Sequence, residues 1–306
     1  MQVTATPPTA AGRPLDIDPA AFGELRASDD AAHDATELRR RLDADGYLFL
    51  PGYLVRDDVL TARRELLDRL AHLGWLAPGE VDDAVPARDK GEPFGMNELA
   101  GSSPGLQHLL YGPRMLSLFE GLFDDQVRHF DFTWLRVVGP GHGTLPHMDN
   151  VFMNRGTDKL LTAWTPLGDI DTNLGGVAVL EGSHRLDDII RDYATRDVDT
   201  YCANSDDPEE LAKARSGLPW GGTLTDDPVG LRERLGLRWV TRDYRAGDLL
   251  VFTMHTAHLG LDNNTSDRFR LSSDSRYQPA SEPADPRWVG TNPTAHGAAS
   301  KQGLIC

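Results

Sequence analysis

The sequence predicts a mainly β domain, a β-sandwich or barrel with a helical layer, and three observations carry that prediction. Helix-period apolar patterns are concentrated before Val127. After it come short apolar runs separated by Gly-rich turns. The chain also lacks the regular alternation of strand and helix, the G-x-G-x-x-G turn and the Walker lysine loop that nucleotide-binding α/β folds need.

In chain order, residues 1–30 are rich in Ala, Pro, Asp and Gly without periodicity and predict a partly ordered arm. Residues 31–306 are expected to form one domain. Asp34 to Leu42 predicts a short helix closed by Asp45-Gly46, and Tyr47 to Leu50 a strand cut off by Pro51-Gly52. Val59, Leu60, Leu66, Leu67 and Leu70 set a helical period over 56–72. Residues 76–104, rich in Pro, Gly and Asp, predict a long loop able to act as a lid, and two short helices follow at 105–122. Strands are expected at 130–138, across the His147 segment, and at 160–164 and 176–180. A polar, partly helical insertion at 185–236 is a second candidate lid. Strands resume at 237–240, 248–254 and 268–277.

Composition narrows the function. The formal charge of −16 disfavours nucleic acid and anionic membranes as partners, although a local basic pocket can override the global sign. No apolar run is long enough to span a membrane, no secretory leader pattern opens the chain, and the protein is expected to be cytoplasmic. Cys202 and Cys306 make no zinc pattern and no disulfide framework, so a metal would need His and carboxylate ligands.

Leu145-Pro146-His147-Met148-Asp149-Asn150 supplies two such ligands. On an extended strand His147 and Asp149 share a face and Met148 takes the other. A downstream histidine would complete a 2-His-1-carboxylate facial triad, which leaves open positions on non-heme Fe(II). Gly247-Asp248 opens an apolar strand that delivers His255 and His258, and Arg268-Phe269-Arg270-Leu271-Ser272 follows. A 2-oxo acid that chelates iron through one end needs a cation for its far carboxylate. The planar fork of an arginine suits that job because it stays charged when buried. Ser272 shares the strand face of Arg270 and can add a hydroxyl donor.

In this order the motifs resemble those of the Fe(II)/2-oxoglutarate-dependent oxygenases, and within them the phytanoyl-CoA dioxygenase family. The resemblance runs from about residue 35 to 290. It is carried by Gly46 to Leu50, His147-Met148-Asp149, Leu161 to Asp169, Gly175-Gly176 leading to Leu180-Glu181-Gly182-Ser183-His184, Gly247-Asp248 through His258 to Asn264, and Arg268 to Ser272. It implies a double-stranded β-helix (a cupin-like jelly roll) with helices on one sheet. It implies His147, Asp149 and His258 as iron ligands, and Arg270 with Ser272 on the distal carboxylate of 2-oxoglutarate. Thr162 and Trp164, which share a strand face, would line the cosubstrate pocket. His258 is preferred to His255 because it lies twelve rather than fifteen residues before Arg270, nearer the family's interval, and because it shares strand parity with Phe252 and Met254.

The activity implied is oxidation, first of all hydroxylation, of a C–H bond in a small molecule. O2 and 2-oxoglutarate would be consumed, with succinate and CO2 as coproducts. Desaturation, epoxidation and ring formation are variants of the same chemistry. Asp149 argues against halogenation, because halogenases of this superfamily lack that carboxylate. A cupin-like isomerase or hydrolase with another metal has no need of Arg270 and Ser272, and a non-catalytic binding protein would tolerate a missing ligand. No Lys/Arg cluster suggests a CoA phosphate site, so a small natural product or amino-acid-like substrate is expected, chosen by residues 76–104 and 185–236.

Several other residues have structural readings. His142 is expected near solvent, His184 to tie its own turn, Asp248 to form a turn, and Arg268 to pair with Asp267 or Asp274. Trp134, Trp220, Trp239 and Trp288 are expected in the core or a lid, and Arg155 either positions substrate or closes a turn. No role is assigned to His108, His129 or His296.

Overall fold

A computed structural model describes residues 7–87 and 96–306. Its elements follow the chain as β1 (Thr9–Ala10), β2 (Arg13–Pro14), β3 (Phe22–Glu24), α1 (Ala35–Asp45), β4 (Tyr47–Leu50), α2 (Arg56–His72), α3 (Asn97–Gly101), α4 (Pro104–Tyr111) and α5 (Pro113–Phe123). The β-rich part follows as β5 (Val127–His129), β6 (Trp134–Val138), β7 (Thr144–His147), β8 (Leu161–Pro166) and β9 (Val177–Leu180). The insertion contributes α6 (Asp187–Asp192), β10 (Thr200–Cys202), α7 (Pro208–Ser216) and α8 (Pro228–Leu235). The chain ends with β11 (Trp239–Thr241), β12 (Leu249–Thr253), β13 (His258–Gly260), β14 (Arg270–Pro279) and β15 (Gln302–Leu304).

Two sheets face each other as a jelly roll. The larger runs β4-β12-β8-β14-β5, with β6 also paired to β14, and the smaller runs β3-β11-β9-β13-β7. Strand alternation explains why the large sheet is buried on both faces. Leu48, Leu50, Leu249 and Val251 pack outward against Val59, Ala62 and Leu66 of α2, Leu106 and Leu110 of α4, and Phe119 of α5. Tyr47, Phe49, Leu250 and Phe252, the residues between them, point inward with Trp164, Val177 and Val179 and fill the space between the sheets. The helical layer therefore covers one face of one sheet. α1 is capped at its start by the Asp34 carboxylate, which accepts from Glu37 N, and at its end by Gly46 in the left-handed region at φ +80°.

Several local expectations differ from the structure. Residues 7–30 are not a bare arm, since β3 extends the small sheet alongside β11. Of the strand expected at 130–138 only β6 forms, and the separate strand β5 precedes it; between the two, Phe130 N donates to Arg276 O. Within 76–104 the chain forms a Leu76–Pro86 bridge and α3, and residues 88–95 of that expected lid lie outside the described residues. Cys202 and Cys306 are joined as a disulfide, which their spacing did not foretell. No helix among the described residues is long and apolar enough to cross a membrane.

The C-terminal segment is fastened across the insertion by a buried ionic clasp. Asp199, fully buried, accepts from Arg287 Nη1 at 2.6 Å, Lys301 Nζ at 2.6 Å and His296 Nδ1 at 3.0 Å. Arg287 also holds Asp285 and Asp197, and Asp197 in turn receives Arg155 at 2.7 Å. Arg155 thus has a structural role. Burial alone would raise the Asp199 pKa, but the donors from His296, Lys301 and Arg287 override it and hold the carboxyl well below its usual range. A depressed folded-state pKa stabilises the fold above the ordinary carboxylate value of about 3.9 and loses that contribution as pH falls through it. Asp199→Asn leaves Lys301 without the carboxylate it is buried against and takes from Arg287 one of its three. It should cost about 3–5 kcal/mol in urea unfolding at neutral pH. It should also flatten the loss of stability below about pH 4 seen for the unsubstituted protein.

Candidate metal centre and cosubstrate pocket

The strand expected across the H-x-D segment stops short of Asp149. β7 closes at His147, Met148 is still extended (φ −116°, ψ 142°), and Asp149 begins a 3-10 turn over Asp149–Phe152. The extended Met148 is enough to keep His147 and Asp149 on one side. The downstream histidine arrives by a different route from the parity expected of a continuous strand. β12 stops at Thr253, the chain turns, and His258 opens β13 in the other sheet, paired directly with His147. The imidazoles therefore meet as a cross-strand pair, ring centroids 4.3 Å apart.

One ligand atom from each of His147, Asp149 and His258 lies within 4.8 Å of the other two. His147 Nε2 is 3.9 Å and His258 Nε2 3.8 Å from the same oxygen, Asp149 Oδ1. Each imidazole donates from Nδ1 to a carbonyl two residues back, Leu145 O at 2.8 Å and Thr256 O at 3.0 Å. A carbonyl can only accept, so the proton sits on Nδ1 and the Nε2 lone pair faces the centre. Burial, with His258 beside it, lowers the His147 pKa to about 3, which leaves a neutral imidazole able to ligate. His255 lies in the turn and does not join the group; burial also lowers its pKa.

The other oxygen of Asp149 is fully engaged. Thr162 Oγ1 and Arg276 Nη2 (3.0 Å) both donate to Oδ2. Burial would raise this carboxyl's pKa, but Arg276, the two imidazoles and Thr162 hold it well below the usual range. Oδ1 alone is left for a metal. The donor set of two neutral imidazoles and one ionised carboxylate oxygen fits a hard-to-borderline divalent cation such as Fe(II). Thr162 thus supports a ligand, whereas its strand-mate Trp164 does line the pocket beside the triad.

That pocket is lined by Trp164, Val177, Phe252 and Gly260 and by the charged side chains of Arg136, Arg270, Asp274 and Arg276. Arg270 is buried and donates to Gly175 O at 2.8 Å. Gly175 has φ +83°, and a Cβ there would meet Leu261 O at 2.6 Å, so only glycine brings its carbonyl this close. On the same strand face Ser272 is buried, and its hydroxyl has no hydrogen-bond partner among the described residues. A buried guanidinium with an unsatisfied hydroxyl two residues along suits the distal carboxylate of 2-oxoglutarate.

Arg136, Asp274 and Arg276 were missed in the sequence, although a signal was present. Arg270, Ser272, Asp274 and Arg276 recur every second residue, so a single strand turns all four to one face. Asp274 pairs with Arg136 and Arg276, not with Arg268, which lines a surface groove. His184 reaches across to Asp43 O on α1 instead of closing its own turn. Asp248 accepts from Gly52 N and Arg245 N as a turn former. Trp239 and Trp288 are core residues.

Residues 42–272 match the family described as phytanoyl-CoA dioxygenase. The 1-deoxypentalenic acid 11-beta-hydroxylase of Streptomyces arenae is 27% identical over 262 residues, covering 81% of this chain and 82% of that protein. The epimerase SnoN, solved with Fe3+, alpha ketoglutarate and nogalamycin RO, superposes with a TM-score of 0.56 at 22% identity, over 86% of this chain and 94% of its own. EctD from S. alaskensis superposes with a TM-score of 0.55 at 18% identity, over 97% and 98% of the two chains. At these identities the structural likeness shows the fold.

Thr162→Val removes one donor to Asp149 Oδ2 while keeping the side chain's shape. Fe(II) affinity, read by equilibrium dialysis, should fall by about tenfold or more with the fold intact.

Proposed function

The chain belongs to the phytanoyl-CoA dioxygenase family, and from that premise we propose that His147, Asp149 and His258 hold Fe(II) while Arg270 and Ser272 hold 2-oxoglutarate. The protein is a non-heme iron, 2-oxoglutarate-dependent dioxygenase acting on a small molecule. One observation carries the residue assignment: three ligand atoms within 4.8 Å of one another, in a pocket that a buried arginine also lines. Bound Fe(II) with 2-oxoglutarate and O2 supplies the oxidising power to break a C–H bond, with succinate and CO2 formed.

The chain's own residues bind, orient and exclude. Thr162 and Arg276 fix which Asp149 oxygen faces the metal. The carbonyls of Leu145 and Thr256 set the histidine tautomers. Trp164, Val177 and Phe252 give the pocket an apolar lining, which strengthens the attraction of its buried Arg270 for a carboxylate. The reaction we infer is hydroxylation, supported by two Streptomyces relatives named as hydroxylases, at 27% and 26% identity. The insertion is the segment we assign to shaping the substrate side. It grips β7 next to His147, with Leu224 N donating to Pro146 O at 2.8 Å and Met148 N to Tyr193 Oη at 3.2 Å.

Anaerobic addition of Fe(II) and 2-oxoglutarate together should produce a weak visible charge-transfer band that neither gives alone. His258→Ala should abolish the band and His255→Ala retain it; the reverse result would reassign the third ligand. Arg270→Ala should keep the band but raise the 2-oxoglutarate needed to reach it by about tenfold or more, because a charge-assisted paired contact is lost.

A further inference from the structure

The turn that carries Asp149 is held by two segments distant from it in sequence. The first is residues 193–198 of the insertion. Met148 N donates to Tyr193 Oη at 3.2 Å, Asn150 Nδ2 to Ala194 O at 2.5 Å and Asn154 Nδ2 to Arg196 O at 2.7 Å. Val198 N donates in return to Val151 O at 3.0 Å. The second is the C-terminal segment, where Trp288 Nε1 donates to Phe152 O at 3.3 Å and Ser300 O accepts from Arg155 Nη1 at 2.7 Å. Residues 193–198 thus form a strap along the metal-ligand turn, and a shift of the strap reaches Asp149 through its neighbours Met148 and Asn150.

Beyond the strap the two segments are fastened to each other twice. The Asp199 clasp is the ionic fastening. Next to it β10 and β15 pair in parallel, from Thr200 with Gln302 to Cys202 with Leu304, and the Cys202–Cys306 bond closes the ribbon. Every residue of β15 is exposed, Leu304 to 54%. A short parallel ribbon that buries so little is marginal in water on its hydrogen bonds alone. The covalent bond, across a sequence separation of 104, removes most of the freedom that the open chain would gain, and so keeps the ribbon closed.

The bond is also open to chemistry. Cys306 is exposed and Cys202 half-buried, so a thiolate in solution reaches the sulfur of Cys306. Attack there forms a mixed disulfide and releases Cys202 as a thiolate, which takes up a proton. The second thiol of the reagent then displaces Cys306; the reagent ends as a disulfide and its electron pair leaves the protein with two thiols. The thiol form has a place to sit. Asn204 Oδ1 lies 3.3 Å from Cys202 Sγ, positioned to accept from its S–H, and already accepts from Cys306 N at 2.8 Å.

We propose that Cys202–Cys306 is a redox latch. Oxidised, it holds the strap 193–198 against the metal-ligand turn; a dithiol reductant opens it, frees the strap and loosens the hold of the site on Fe(II). This inference concerns regulation of the proposed iron site, and its metal arm rests on that reading.

The test starts from the air-oxidised, metal-free protein treated with dithiothreitol, followed by intact mass after thiol alkylation and by hydrogen exchange. Reduction should make both thiols alkylatable and speed amide exchange in 193–204 and 302–306 by about fivefold or more, with β8 and β12 unchanged. Reoxidation should restore slow exchange. Cys202→Ser and Cys306→Ser should each match the reduced form without reductant, and in equilibrium dialysis bind Fe(II) about threefold or more weakly than the oxidised protein. Should a serine variant fail to fold, the reduced unsubstituted protein, desalted under argon, supplies the dialysis value. The proposal is overturned if the oxidised protein holds no disulfide, if dithiothreitol leaves the bond intact in the folded chain, or if exchange in 193–198 does not rise. It is overturned as well if the strap loosens while Fe(II) affinity stays within about twofold. An oxidised protein that binds no Fe(II) would sink the iron reading instead, and the exchange measurement, which needs no metal, then decides the latch.

Discussion

A carboxylate held ionised in a dry interior is the constraint on which this structure depends. Asp149 has almost no contact with water, and an isolated buried charge would neutralise itself by taking up a proton. Its ionisation rests on two donors to Oδ2, Thr162 and Arg276, which are themselves a cross-strand pair on β8 and β14. Those strands belong to the large sheet, whereas His147 and His258 pair on the edge of the small one. The candidate centre therefore exists only where the two sheets are held face to face. The helices make their contribution here: by covering the outer face of the large sheet they make burial of both its faces favourable and fix the strands that carry the donors.

Much of the fold was legible because it follows local rules. The span of α2 is set by its leucine spacing, α1 by Asp34 and Gly46, and β4 by an apolar run stopped at Pro51. What escaped were contacts between distant segments. Nothing near Phe22 announces that β3 will lie against β11, since pairing across more than two hundred residues leaves no local period. The Cys202–Cys306 bond and the Asp199 clasp are of the same kind: each joins the C-terminal segment to the insertion, and neither partner is marked by its neighbours.

The candidate site shows the same division. His147, Asp149, His258, Arg270 and Ser272 stand in recognisable motifs, and the structure gathers the first three around one point and places Arg270 in the pocket beside them. The parity argument for His258 was nonetheless unsound, because the chain leaves β12 at Thr253 and enters the other sheet before reaching it. The reading of Thr162 was incomplete for a related reason. Strand alternation says which face a side chain takes, but not what waits there; for Thr162 that is the rear oxygen of Asp149. Arg276 was overlooked although the alternation that marks Ser272 extends to it, because a motif search stops where the motif ends.

Global and local charge point in opposite directions here, and the contrast has a physical consequence. The chain carries −16 overall, yet the pocket is lined by three arginines against two carboxylates. At physiological ionic strength the repulsive exterior is screened beyond about 8 Å, so an approaching anion meets little long-range attraction or repulsion. Its capture depends on what lies within that distance. Arg270 and Arg276 are both buried, the latter beneath the Trp134 ring, so neither acts at range. An anion that reaches either buried guanidinium gives up its water, and its pairing there must repay that desolvation. A site arranged this way discriminates by desolvation and charge together, which the acidic surface alone would not achieve.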